Sequence, residues 1–207
     1  MRIEPEIPVA GVILAAGSST RMGRNKLLLR VEGESLVRRA ARRALAAGLE
    51  PVVVVLGRDA ENAERELADL ALSIVVNAEH EAGIHTSRRA GLAAVPPDRD
   101  AAVILLADMP LVTEQMLAAL VSRYRESGAR LVFSDYAGVS APPNLYDRSL
   151  FAELAELRGE GRVGLLAERL GRDAVTIHWP ASALGDLDRP EDYERLLAGS
   201  RPPGDAA

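Results

Sequence analysis

The feature that most constrains the fold is an alternation of short, unbroken apolar runs with amphipathic segments. Val9–Ala15, Val52–Leu56 and Ala102–Ala107 are aliphatic runs of strand length, each followed by small, charged or turn-forming residues. A strand that is apolar at every position must be covered on both faces, which is the condition of a parallel strand inside an α/β sheet. Helices are predicted between these runs. The first opens at Ser35 and runs to Gly48, the next spans Asp59–Leu70, another Thr86–Val95, and Thr113 caps one that ends near Gly128. Ser73–Val76 and Arg130–Ser134 read as further strands. This βαβα rhythm predicts a mostly parallel, Rossmann-like sheet flanked by helices on both faces.

The rhythm breaks after Ser134. Residues 135–147 are rich in turn formers, helices are expected at Ser149–Leu157 and Val163–Leu170, and short strands at Ala174–His178 and Leu184–Leu187. Asp188 stands three residues before Glu191, the spacing of a capping box, and opens a last helix to Leu197. With no internal repeat, residues 1–198 read as one domain, and residues 199–207, small and polar, as a disordered tail. Arg38, Arg39, Arg42 and Arg43 share one side of the first helix and read as a solvated face.

Composition narrows the function classes. The chain of 207 residues has no cysteine, so thiolate nucleophiles, disulfides and cysteine-ligated metals are excluded. A net charge of −5 argues against a general nucleic-acid binder. The run Val9–Ala16 is too short to span a bilayer, and the segment before it carries Glu4 and Glu6 rather than a basic leader. A soluble, cytoplasmic protein without a membrane partner is expected. His80, His85 and His178 have no metal-ligand spacing and read as surface or loop residues.

The chemistry concentrates in Leu14-Ala15-Ala16-Gly17-Ser18-Ser19-Thr20-Arg21-Met22-Gly23-Arg24-Asn25-Lys26, directly after the first strand. Ligands of open α/β sheets bind at the carboxyl ends of strands. Small residues there let backbone N–H groups approach phosphate oxygens, and Arg21 and Lys26 add positive charge. Five residues separate Gly17 from Gly23, and Lys26 lies beyond both, so neither the dinucleotide fingerprint nor the P-loop spacing is met. Asp108, just past the strand Ala102–Ala107, would face the same edge, where a carboxylate suits Mg²⁺.

The pattern L-A-A-G-x-S-x-R-M-G-x-x-K resembles the MobA-like nucleotidyltransferases, most closely their molybdenum cofactor cytidylyltransferase branch, over roughly residues 9–198. The resemblance implies the nucleotide-diphospho-sugar transferase type of fold. It also implies a loop holding the triphosphate of the incoming nucleotide through Leu14, Ala15, Ala16, Gly17, Ser18, Arg21, Gly23 and Lys26. Guanylyltransferases typically carry L-A-G-G, so Ala16 points to CTP rather than GTP. Ala107-Asp108-Met109-Pro110 matches the family's metal motif, and Asp186-Leu187-Asp188-Arg189-Pro190-Glu191-Asp192-Tyr193 matches a segment whose acids complete it. Asp186 is the preferred second ligand and Asp188 the preferred helix cap. Gly83 and Ser87 match a segment near base and sugar, although a helix start capped by Thr86 or Ser87 explains them equally well.

The resemblance thus implies catalysis by Lys26, Arg21 and Asp108, with Mg²⁺ held by Asp108, Asp186 and Asp188. A nucleotidyl group, CMP from CTP, would pass to molybdopterin. The acceptor-side segments 141–146 and 159–164 depart from the family pattern. That leaves open other phosphorylated acceptors (a sugar phosphate, phospholactate, a methylerythritol phosphate). It also leaves open a non-catalytic carrier that delivers cofactor to a molybdoenzyme partner.

Overall fold

The computed structural model describes residues 8–17, 25–158, 162–185, 187 and 190–199. The tail beyond Gly199 lies outside the described residues. An eight-stranded sheet forms the centre. It contains β1 (Val9–Ala15), β4 (Val52–Leu56), β5 (Ser73–Val76), β6 (Ala101–Leu106), β7 (Leu131–Tyr136), β8 (Val139–Ser140), β9 (Asn144–Asp147) and β10 (Ala174–Trp179). Its order is β10-β7-β9-β6-β1-β4-β5, with β8 pairing β7. A small hairpin of β2 (Arg30–Val31) and β3 (Glu34–Ser35) stands apart.

β1 is parallel to both neighbours, with Gly11–Ala15 against Val52–Leu56 and Val9–Leu14 against Ala101–Leu106. Because side chains alternate along a strand, β1 feeds two cores. Val9, Ile13 and Ala15 pack with α1 (Leu36–Ala46), α2 (Ala60–Leu67) and α4 (Glu114–Ser127). Ala10, Val12 and Leu14 pack with α3 (Ile84–Ala93), α5 (Phe151–Glu156) and α6 (Arg162–Leu170). With aromatics at only 3% of the chain, Val, Leu and Ala fill these layers, and close helix approach replaces bulky rings. At Gly91 of α3 a Cβ would come within 2.4 Å of Val12 Cγ1.

Several expectations change. Residues 135–147 were expected as turns, yet they contain β8 and β9, and β9 lies antiparallel between β6 and β7 in mid-sheet. Asn144 makes this possible: its buried Oδ1 accepts the Ser134 N–H at 2.8 Å, and Ser134 Oγ donates to the Pro143 carbonyl. The strand expected at Leu184–Leu187 does not form at Leu184, Gly185 or Leu187. Leu187 instead lies beside the turn after β6, its N–H donating to the Asp108 carbonyl. There Leu187 is buried against Leu29, Val31 and Leu36, and α7 (Pro190–Gly199) adds Tyr193 and Leu196 to that cluster. Ser35 does precede α1, but its hydroxyl makes no capping bond. Thr113 caps α4 as expected, its side chain accepting from Met116 N–H.

The arginine face of α1 is not wholly solvated. Arg38, Arg39 and Arg42 pair with Asp69, Glu32 and Glu34. Arg43 is half-buried and donates to the carbonyls of Pro110, at 2.5 Å, and Val112. Amphipathic spacing identifies the side of the helix but not what packs over it, and here the turn after β6 does. No helix among the described residues is long and apolar enough to cross a membrane.

Candidate active site

The carboxyl ends of β1, β4 and β6 meet at one edge. Ala107 N–H donates to the Leu14 carbonyl at 3.1 Å, which sets the turn after β6 beside the turn after β1. Leu14, Ala15 and Ala16 are buried and Gly17 is exposed, so the chain leaves the core at the glycine. Ser18, Arg21 and Gly23 lie outside the described residues.

The chain is described again at Asn25, whose Oδ1 accepts the Leu27 N–H at 3.0 Å and caps the 3₁₀ turn Lys26–Leu28. The buried Leu27 anchors that turn in the core, and Lys26 is carried with it. Lys26 Nζ lies 2.5 Å from Asp108 Oδ2, with side chains 11% and 20% exposed. The structure therefore brings the predicted lysine and the predicted acid into direct contact. The Asp108 carbonyl accepts the Leu187 N–H at 3.3 Å, so the segment between the two other acids passes over the same turn. Asp186 and Asp188 themselves lie outside the described residues. Among the described residues no cluster of three or more His, Asp or Glu forms a ready metal cage.

On the far side of β1 the end of β4 closes in. A Cβ at Gly57 would lie 2.8 Å from the Ala16 carbonyl oxygen and 2.9 Å from His80 Cγ. His80, in the 3₁₀ turn His80–Ala82 and so in a loop as expected, lies beside Gly57 with its Nδ1 buried and without a hydrogen-bond partner. Asn77, buried after β5, donates through Nδ2 to Thr86 Oγ1 at 2.8 Å and Ser87 Oγ at 3.0 Å, and its Oδ1 accepts the Glu79 N–H. Gly83, rather than Thr86 or Ser87, occupies the cap position of α3. Ser87 is buried beneath the helix start. The sequence reading missed Gly57, Asn77 and His80. Only Gly57 carried a signal, as a glycine immediately after a buried strand.

Toward β7 and β10 the edge becomes more open. His178 Nδ1 is 3.2 Å from Asp135 Oδ1. The Gly138 N–H and the nearby imidazole lower the pKa of Asp135 against a smaller opposing effect of burial. Tyr146 is fully buried in the sheet, and that burial pushes its pKa up to about 12, so it packs rather than titrates.

Comparison with known proteins gives the family. Residues 11–175 match the model of the MobA-like NTP transferase domain. The chain is 34% identical over 199 residues to the purine catabolism protein PucB of Bacillus subtilis, covering 90% of this chain and 94% of that protein. Among solved structures it is similar to Rv0371c of Mycobacterium tuberculosis, at 28% identity and TM-score 0.83, covering 94% of this chain and all of that one. It is likewise similar to the manganese complex of Rv0371c, at 26% identity and TM-score 0.76, with 92% and 98% covered. The domain match spans the β1 turn, Lys26 and Asp108 alike, and the chain belongs to the family of proteins built on a MobA-like NTP transferase domain.

Proposed function

We propose that this nucleotidyltransferase moves CMP from CTP onto a molybdopterin-type phosphorylated acceptor and releases pyrophosphate, with Mg²⁺ as cofactor. The observation that carries the reading is the convergence of Lys26 and Asp108, 2.5 Å apart, beside the turn after β1. One cation from the 3₁₀ turn Lys26–Leu28 and one carboxylate just past β6 together suit a polyanion and a divalent ion. The fit to a metal rests on Asp108, whose hard oxygen already attracts a cation and suits Mg²⁺. Rv0371c, which binds manganese, supports a divalent ion here. Asp186 or Asp188 would supply a second acid.

An acceptor phosphate oxygen attacks the α-phosphorus in line. The bond from the α-phosphorus to the bridging oxygen breaks, and pyrophosphate leaves with the electron pair. A phosphate monoester is already largely ionised at neutral pH, so no protein nucleophile or base is needed. Such transfers ask the protein for position and charge neutralisation. The backbone of Leu14–Gly17, with Ser18 and Gly23, lines the triphosphate. Lys26 and Arg21 neutralise charge that develops on the leaving pyrophosphate. Bound Mg²⁺ would supply Lewis-acid charge at the phosphates. Gly83, at the start of α3, and Ser87 beneath it are the residues proposed to serve base and sugar. Ala16 in place of glycine supports CTP.

Pyrophosphate release measured with CTP, GTP, ATP and UTP, against molybdopterin, sugar phosphates, phospholactate and methylerythritol phosphate, tests the reading. Turnover with CTP and molybdopterin is expected. Turnover with GTP alone overturns the base assignment, and turnover with another acceptor overturns molybdopterin. Nucleotide binding without turnover on any acceptor turns the reading toward a carrier that serves a molybdoenzyme.

A further inference from the structure

The Lys26–Asp108 pair is enclosed, unlike the more exposed ion pairs found elsewhere among the described residues. Its side chains are 11% and 20% exposed, whereas the Arg38–Asp69 pair leaves its carboxylate 68% exposed. Shielded charges are less screened by salt and interact more strongly than exposed ones. Both partners also stand on fixed backbone. Lys26 sits in a 3₁₀ turn capped by Asn25 and closed by Leu29 N–H on the Lys26 carbonyl at 3.0 Å. Asp108 sits in a turn held by Leu187 on its own carbonyl and by Arg43 on the carbonyls of Pro110 and Val112. The contact is built into the scaffold rather than made by two freely sampling side chains.

We propose that the Lys26 ammonium is the internal counter-cation of the metal site, holding Asp108 until a triphosphate draws it away, so that the divalent ion enters with the nucleotide and not ahead of it. The inference rests on the reading of Asp108 as a metal ligand. A carboxylate held by an ammonium ligates less readily, and a divalent ion placed beside that ammonium meets like charge. A triphosphate removes both obstacles, because its oxygens give Nζ a new partner and its charge offsets the repulsion. Nucleotide and ion then raise each other's affinity, and by linkage the effect is reciprocal. Lys26 therefore opposes the metal when no nucleotide is bound, although it assists the reaction.

The test is Mn²⁺ binding to the full chain, followed by the electron paramagnetic resonance signal of the free aquo ion, with no nucleotide present. Lys26→Met keeps the buried stem and removes the charge. Its Mn²⁺ affinity is expected to rise about tenfold or more over the unmodified chain, because the carboxylate loses its competing cation. Asp108→Asn is expected to lose the site. Adding CTP should raise Mn²⁺ affinity more in the unmodified chain than in Lys26→Met. If Lys26→Met does not fold, Lys26→Gln, which also removes the charge, must show the same direction. Equal or weaker Mn²⁺ binding in the lysine variants, with binding lost in Asp108→Asn, overturns the counter-cation proposal and leaves the metal reading standing. Unchanged binding in Asp108→Asn overturns the metal reading and the proposal with it.

Discussion

Where β1 and β6 end, the Lys26 ammonium and the Asp108 carboxylate share an enclosed contact, and replacing either leaves the other charge poorly hydrated. Lys26→Ala and Asp108→Ala should each lower pyrophosphate release by about a hundredfold or more, as expected for loss of a principal charge-stabilising group. Near-normal turnover in both would refute their roles. Arg43 makes a structural point at the same scale. Desolvation lowers its pKa, chiefly through burial, yet it stays charged and serves two carbonyls behind Asp108. Arg43→Met strands those acceptors and should cost about 1–3 kcal/mol in a urea titration. Lys26 and Asp108 were singled out in the sequence because one closes a polar glycine-bearing loop after a buried strand and the other directly follows a buried strand. Arg43 was not, because its target lies 67 positions along the chain, while helical periodicity registers only neighbours three or four residues away.

Among the elements, the end of β4 acts as a wall for the β1 turn. A methyl group at Gly57 would press on the Ala16 carbonyl, which is backbone and cannot rotate aside. Gly57→Ala should therefore raise KM for the nucleotide by about tenfold with a smaller change in kcat, the pattern of lost binding rather than lost chemistry. An unchanged KM would mean that the β1 turn accommodates the methyl or does not hold the nucleotide. The strands β1, β4 and β6 were legible as unbroken apolar runs. β9 was hidden, since Pro142, Pro143 and Asn144 at its start read as a turn, and Asn144 pairs through its side chain where sequence offers no sign of a partner. The segment 184–187 erred the other way. It has the alternation of a strand but is drawn by Leu187 into the cluster around Leu29, Val31 and Leu36.

Over the whole molecule, the last part of the sheet is stitched to its helices by polar contacts that respond to acid. Asp147, at the end of β9, accepts from Tyr124 Oη at 2.8 Å and Ser149 N–H at 2.9 Å. Burial alone would raise its pKa, but bonds from Ser149 and Tyr124 and the charge of Arg130 outweigh it and hold it below the ordinary 3.8. A carboxylate with a depressed pKa adds stability above its unfolded value and loses that contribution as pH falls through the folded value. The stability advantage of the unmodified chain over Asp147→Asn should thus be full at neutral pH and shrink below pH 3.8, as followed by urea unfolding across the acid range. An advantage independent of pH would assign the effect to packing. By itself the sequence determined the α/β class, the polar glycine-bearing turn after β1 and the acid at the end of β6, because strand burial and turn chemistry are patterns of adjacent residues. Only the tertiary structure decided that β9 enters mid-sheet, that Arg43 braces the Asp108 turn and that Lys26 grips Asp108. Those outcomes depend on contacts between residues far apart in the chain, whose energies exist only once the layers have packed.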